Sequence, residues 1–243
     1  MTFVATGNAI LNVGATPVIA DVNNDMNISL DSIKENITSK TKAIIPVHFA
    51  GKMCDIKNIK KIAKTNNLFL IEDCAHAIGA KFENKHAGTF GDAGCFSFYP
   101  TKNITTIEGG MVICNSKNTA QGIQSFRNHG ITRTLKQRFS AGKPWDYDEI
   151  EPGYNFRLDE IRASLGISQL KKISKLNNMR RKACEYYTSK LKKIKGIESP
   201  EISKSTDNAF HLYIIKIKKD YGISRDKLFL SFAFSPIIIV SFL

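Results

Sequence analysis

The sequence is poor in the features that mark several large protein classes. Its 243 residues carry five cysteines, Cys54, Cys74, Cys95, Cys114 and Cys184, an odd number with no CxxC pair. They fit buried thiols in a reducing, cytoplasmic compartment better than a disulfide framework. Zinc-ligand spacing is missing too. Asp73, Cys74 and His76 are close in sequence, but Asp73 and Cys74 would point to opposite faces of a continuing strand. No second ligand cluster completes a tetrahedral site, so no metal is expected. The opening residues lack the basic start and long apolar core of a secretory leader. No zinc finger, aromatic-basic RNA motif or Gly-rich basic tail accompanies the net charge of +13, from 35 Lys+Arg against 22 Asp+Glu. Many of those cations fall in "QLKKISKLNNMRRK" and "SKLKKIKG", where helical periodicity makes them a solvated face, so no nucleic-acid partner is expected. No apolar run reaches the about 20 residues of a membrane helix. The ending "LFLSFAFSPIIIVSFL", residues 228–243, comes closest, uncharged but broken by Pro236. It reads as an ending foreign to the domain or as a chain cut short, and no membrane partner is expected.

What is present is a regular alternation of elements. Residues 3–13 read as a short helical or mixed segment, "TPVIADV" (16–22) as a strand, and "SLDSIKENIT" (29–38) as a helix with Ser29 as its cap. Strand "KAIIPVHF" (42–49) precedes "CDIKNIKKIAKTNN" (54–67), whose apolar residues at 56, 59, 62 and 63 have helical spacing. Strand "LFLIED" (68–73) follows. Near-continuous apolar strands joined through helices predict an α/β fold with a largely parallel sheet, covered on both faces. Strands "AGCFSFY" (93–99) and "GGMVICN" (109–115) are too close for a full crossover helix. A helix over 118–130 closed by Gly130 comes next. Beyond a polar link at 131–153, residues 158–194 read as two helices or one bent near Gly166. "NAFHLYIIKIKK" (208–219) alternates like a strand that opens a second region.

Three places could carry chemistry. "LIEDCAHAIGA" (70–80) runs from an apolar strand into Asp73, with His76 three residues on. A carboxylate at the C-terminal end of such a strand faces the crevice where open α/β sheets bind ligands. Taken alone, Asp73 could equally cap a turn and His76 fill a pocket edge. In "CFSFYPTKNITTIEGGMVIC" (95–114), Lys102 stands in a link stiffened by Pro100 and closed by glycines. A partly desolvated amine there would be nucleophilic, although most lysines are surface residues. "EPGYNFRLDEIRASLG" (151–166) sets Gly153, Asn155 and Arg157 before a helix. That placement suits an anion or an ordinary helix entry.

The segments "VHFAGKMCDI", "IEDCAHAIGA", "GDAGCFSFYPTKNITTIEGGMVI", "FRNHGITR" and "PGYNFRLDEIRASLGISQL" occur in this order. Together they resemble the DegT/DnrJ/EryC1/StrS family of pyridoxal-phosphate aminotransferases that act on nucleotide-linked keto sugars. The resemblance spans residues 1 to about 220. It implies the mainly parallel large domain of a fold type I transferase over residues 1–196, and the start of a small C-terminal domain over 197–243. Carried across by position, Lys102 would be the lysine joined to pyridoxal phosphate and later the proton shuttle. Asp73 would pair with the pyridinium nitrogen, and His76 would lie against the ring, where family members also use glutamine. Ser97 would contact the phosphate. Asn155 would reach the phosphate of a neighbouring subunit's cofactor, which implies a homodimer with shared sites.

The motifs look most like enzymes that aminate C4 of a UDP-linked 4-keto-6-deoxy-N-acetylhexosamine on the route to pseudaminic acid, with glutamate as amino donor. A dTDP-4-keto-6-deoxyhexose or a UDP-4-keto-pentose is the alternative substrate. The lysine at 102 argues against dehydrating relatives, which carry histidine there. Compared with the family, an N-terminal section with a phosphate-binding turn is missing, and the small domain barely begins. The chain alone is therefore expected to bind pyridoxal phosphate poorly, and an inactive or regulatory member is the competing reading.

Overall fold

The computed structural model describes residues 1–131, 133, 135–202 and 206–232. In chain order the elements are α1 (Val4–Asn12), α2 (Leu30–Asn36), β1 (Ala43–Ile44), α3 (Ile56–Thr65), β2 (Phe69–Asp73), β3 (Lys81–Phe82), β4 (Lys85–His86), β5 (Ala93–Ser97) and β6 (Gly110–Cys114). Then follow α4 (Lys117–Phe126), α5 (Leu135–Ser140), α6 (Glu160–Leu170), α7 (Ile173–Leu191), β7 (Ile197–Glu198), β8 (Thr206–Asp207), β9 (Lys216–Ile217) and α8 (Arg225–Phe232).

The central sheet has the order β1-β2-β5-β6. β1, β2 and β5 run parallel, and β6 turns back antiparallel on β5 across the short link that carries Lys102. Register sets Asp73 beside Cys95, so the end of β2 and the last turn of β5 open at the same edge. This is the expected α/β class. Helix α3 covers the sheet because its cap and its stripe agree. Asp55 accepts from the Asn58 N–H, and Ile56, Ile59 and Ala63 fall on one buried face. They join Ile44, Leu70, Cys74, Ala77 and Phe90 in the core. Burying each such isoleucine contributes about 1.5–3 kcal/mol. Ala209, far along the chain, belongs to the same core.

Several expectations are met: the helix capped by Ser29, whose hydroxyl accepts from the Ser32 N–H, and the helix over 56–65. The strands at 69–73, 93–97 and 110–114 also form. Others are corrected. Residues 16–22 do not form a strand. Only Val22 bridges, to Ile28, and Val18 and Ile19 are exposed. A β pattern without a neighbouring edge leaves its backbone unpaired. The strand at 42–49 shrinks to Ala43–Ile44 with a bridge from Val47 to Asp73, because Pro46 has no N–H for the ladder.

Helix α4 ends at Phe126 with Arg127 as its cap, short of Gly130. Gly130 instead sits at φ +74, where a β-carbon would meet Glu151 O at 1.8 Å. Residues 158–194 form two helices, but the break falls at Lys171–Lys172 and Gly166 lies inside α6. The strand at 208–219 is reduced to Lys216–Ile217, since residues 209–212 hydrogen-bond a turn at 50–51 rather than a strand. Of the apolar ending, residues 233–243 lie outside the described residues. Among the described residues no helix is long and apolar enough to cross a membrane.

Candidate active site

Asp73 ends β2 with its carboxylate held at both oxygens. Thr6 Oγ1 in α1 donates to Oδ2 at 2.7 Å, and the Ala75 N–H donates to Oδ1 at 3.0 Å. Its backbone is fixed as well, the N–H donating to Pro46 O at 2.9 Å and the carbonyl accepting from His48 N–H at 3.1 Å. These bonds fix the carboxylate at the C-terminal end of the strand.

Lys102 lies in the turn after β5, where its N–H donates to Tyr99 O at 3.0 Å. It is half-buried. Burial lowers its ammonium pKa from the ordinary value, and the Asp73 charge offsets only part of that effect. His76 faces the same place. Burial and then the Lys102 charge push its imidazole down to about 4, against the pull of Asp73. Asp73, His76 and the more distant Lys102 are thus one electrostatic group: a carboxylate, a ring held neutral and a nucleophile-prone amine.

Ser97, at the end of β5, is partly buried, and its Oγ accepts from the Tyr99 N–H at 3.4 Å. The hydroxyl hydrogen remains available to an anion. Asn155 is not part of this group. It is exposed, its Oδ1 accepts from Arg157 Nε at 3.0 Å, and its backbone bridges to Asn128. Beside it the Tyr154 and Phe156 rings stack 4.8 Å apart with only 2° between planes, both open to solvent.

The sequence reading missed a second carboxylate directly behind Asp73. Glu72 points to the opposite face of β2 and is fully buried. Its oxygens accept from the N–H groups of Gly88, Phe90 and Gly91 at 2.7–2.9 Å and from His48 Nε2 at 2.9 Å. Burial alone would raise its pKa, but the hydrogen bonds from His48 and the glycine N–H groups overcome burial and hold it low. His48 Nδ1 accepts from the Cys54 N–H, so its Nε2 carries the proton given to Glu72. His48, Glu72 and Cys74 bring ligand-type atoms within 4.8 Å of one another. Those of Glu72 and both His48 nitrogens are already engaged in the fold. A carboxylate inside the apolar run "LIED" was the available signal, since a buried charge needs such partners.

Thr6, Asn103 and His211 were missed too. His211 stacks on His76, with ring centroids 4.3 Å apart, and its Nδ1 meets Asn103 Oδ1 at 3.0 Å. Burial, then His76, Lys102 and Arg180, push its imidazole down to about 3. Its only sequence signal is one imidazole in an apolar alternation.

A mainly parallel α/β sheet whose strand ends gather a carboxylate, a neutral imidazole and a half-buried lysine has the architecture of a fold type I aminotransferase. The chain belongs to the DegT/DnrJ/EryC1/StrS aminotransferase family, whose sequence model matches residues 1–237. It is 44% identical over 228 residues to the uncharacterized protein MJ1066 of Methanocaldococcus jannaschii, covering 93% of this chain and 59% of that one. Among solved structures it is similar to Helicobacter pylori PseC, an aminotransferase involved in the biosynthesis of pseudoaminic acid. There the TM-score is 0.88 at 33% identity, over 96% of this chain and 60% of PseC. The PLP form of Spr1654 from Streptococcus pneumoniae is similar with a TM-score of 0.84 at 28% identity, over 96% of this chain and 62% of that one. The chain spans 59% of the length of the curated relatives it matches.

Proposed function

We propose that this chain carries the catalytic centre of a pyridoxal-phosphate aminotransferase that places an amino group on C4 of a nucleotide-linked 4-keto sugar. The observation that supports it most is the joining of Lys102, Asp73 and His76 at one edge of the sheet. The residues fit the cofactor. Asp73 is oriented by two donors and so can face a ring nitrogen, Lys102 is an amine with lowered pKa, and Ser97 offers a hydroxyl to a phosphate. When bound, pyridoxal phosphate supplies an aldehyde for an amine and a ring that takes up the electron pair released as a proton leaves carbon.

Lys102 Nζ would hold the cofactor through its aldehyde and, in the uncharged form, would serve as the base that moves a proton at the reacting carbon. Burial of Lys102 favours that form. Asp73, as a carboxylate at the strand end, would favour a proton on the cofactor's ring nitrogen. His76, held neutral, packs as an uncharged flat surface beside the amine and leaves Asp73 as the partner of any cation. Ser97 Oγ anchors the phosphate.

UDP-4-keto-6-deoxy-N-acetylhexosamine is the favoured acceptor, supported by the likeness to PseC and by the ordered motifs, with glutamate as donor. The exposed aromatic pair at 154 and 156 and the solvent-facing Ile161, Ile167 and Leu170 of α6 support a homodimer in which Asn155 completes the neighbour's site. Five free thiols suit a reducing cytoplasm.

The test is chemical. The chain is incubated with excess pyridoxal phosphate and reduced with borohydride, and the modified peptide is identified. The excess offsets the weak binding expected of this chain alone: sub-stoichiometric modification concentrated on Lys102 is expected, and labelling spread over surface lysines would count against the reading.

A further inference from the structure

The hydrogen bonds around Asn103 fix the proton positions of two stacked histidines. Ile78 O can only accept, and it accepts from Asn177 Nδ2 at 3.0 Å. The other amide atom, Asn177 Oδ1, therefore faces Asn103 Nδ2 at 2.9 Å. The same Nδ2 donates to Ala209 O at 2.6 Å, again an obligate acceptor. Asn103 Oδ1 is what remains for His211 Nδ1, so that nitrogen must carry hydrogen. On the facing ring, the Ala50 N–H donates to His76 Nδ1 at 3.3 Å. His76 therefore keeps its lone pair at Nδ1 and its hydrogen at Nε2. His76 is therefore uncharged, burial and the neighbouring cations disfavour a second proton on His211, and the rings lie tilted 35° and 4.3 Å apart.

The frame that holds them is rigid. Ala209 N–H donates to Gly51 O and His211 N–H to Ala50 O, at 3.0 and 2.9 Å. Gly51 is at φ +92, and a β-carbon on it would come within 3.0 Å of the backbone of Phe210, His211 and His76. Ala50 and Phe210, both non-glycine, also occupy the left-handed region, at φ 58 and 49. Strain of this kind persists where surrounding contacts over-determine it.

We propose that Asn103 and His211 are positioning residues of the candidate site. Asn103, next to Lys102, fixes the His211 tautomer, and the His211 ring backs His76, so that a neutral imidazole stands beside the amine. The inference rests on the reading of Lys102 and His76 as a cofactor pocket. The charges facing the pair are Lys102 and Asp73 on the strand-end side and Arg180 on the helix side, the latter reaching Phe210 O and His211 O at 3.4 Å. A proton on either ring would add a third cation where only Asp73 offers balance. It would also compete with Lys102 for that carboxylate. The segment at 209–211 thereby belongs to the site although it lies about a hundred residues beyond Lys102.

Nitrogen-15 spectra of the histidine rings in the full chain without cofactor test this, read from pH 8 to pH 5. In the unaltered chain His76 is expected as the Nε2–H form and His211 as the Nδ1–H form, neither titrating over that range. Asn103→Asp keeps an acceptor for His211 Nδ1 and adds a charge. It should preserve the tautomer and raise the His211 midpoint by about 1–3 pH units. Asn103→Leu should mix the His211 tautomers and shift the His76 ring signals. A His211 that titrates near pH 6.5 in the unaltered chain, or a tautomer unmoved in Asn103→Leu, overturns the proposal. If Asn103→Leu does not fold, the unaltered spectrum and Asn103→Asp decide. A parallel absorbance titration with pyridoxal phosphate separates the two readings. If no cofactor signal depends on Lys102, the functional reading falls while the ring spectra stand. If it does and the spectra disagree, only the positioning role falls.

Discussion

Residues 28–106 bury or half-bury almost every large apolar side chain they carry, whereas residues 117–194 leave most of theirs in solvent. In the first stretch only Phe69 and Tyr99 are strongly exposed. In the second, α6 has no buried residue and α7 only Cys184, while Ile161 is 84% exposed. The difference separates two tasks. The first stretch has a core of its own, and that core sets Asp73, His76 and Lys102 relative to one another. The second presents apolar and aromatic faces that the described residues do not cover, and Asn155 lies among them.

Perturbing the two stretches should therefore give unequal results. The largest loss is expected at Glu72. Glu72→Ala leaves four donors, three of them fully buried, without their shared acceptor and should cost about 3–5 kcal/mol, as when one partner of a buried pair is removed. Denaturant unfolding measures it, and a loss under about 1 kcal/mol would mean the 88–91 loop is held by other means. Ile59→Ala, in the centre of the same core, should cost about 2–5 kcal/mol and lower the urea midpoint without altering the slope.

A smaller effect concerns pH. Folded His76 takes a proton only at about 4, whereas the unfolded ring does so near 6.5. Between these values the unfolded state binds more protons, so stability falls as pH drops from 6.5 through 4. His76→Gln should lose less stability than the unaltered chain over that interval. An unchanged pH profile would contradict a neutral His76.

The smallest expected effect is in the second stretch. Ile161→Asp should change folding stability by no more than about 0.5 kcal/mol while weakening self-association in sedimentation. A large destabilisation would mean that α6 packs internally and that the contrast between the two stretches is wrong.

Sequence pattern located much of this. Period and capping placed α2, α3, β2, β5 and β6, because each pairs or packs locally and its residues report that environment. Strand-end logic brought Asp73 and His76 forward, the Pro100 link Lys102 and the helix entry Asn155, and the resemblance added Ser97 and the roles of all five. What stayed hidden depends on contacts far apart in the chain. Thr6 reaches Asp73 across 67 residues and Asn103 reaches His211 across 108. The apparent strand at 16–22 failed because pairing needs a neighbour, which a local pattern does not supply. Pro46, visible in the sequence, cut β1 short.

The central claim is that Lys102 is the amine this fold prepares for a cofactor. The most direct measurement is peptide mass spectrometry after borohydride reduction of the chain with pyridoxal phosphate, alongside Lys102→Arg. The account predicts a reduced pyridoxyl group on the peptide bearing Lys102, absent from the variant. Equal labelling of other lysines, unchanged in Lys102→Arg, would contradict it.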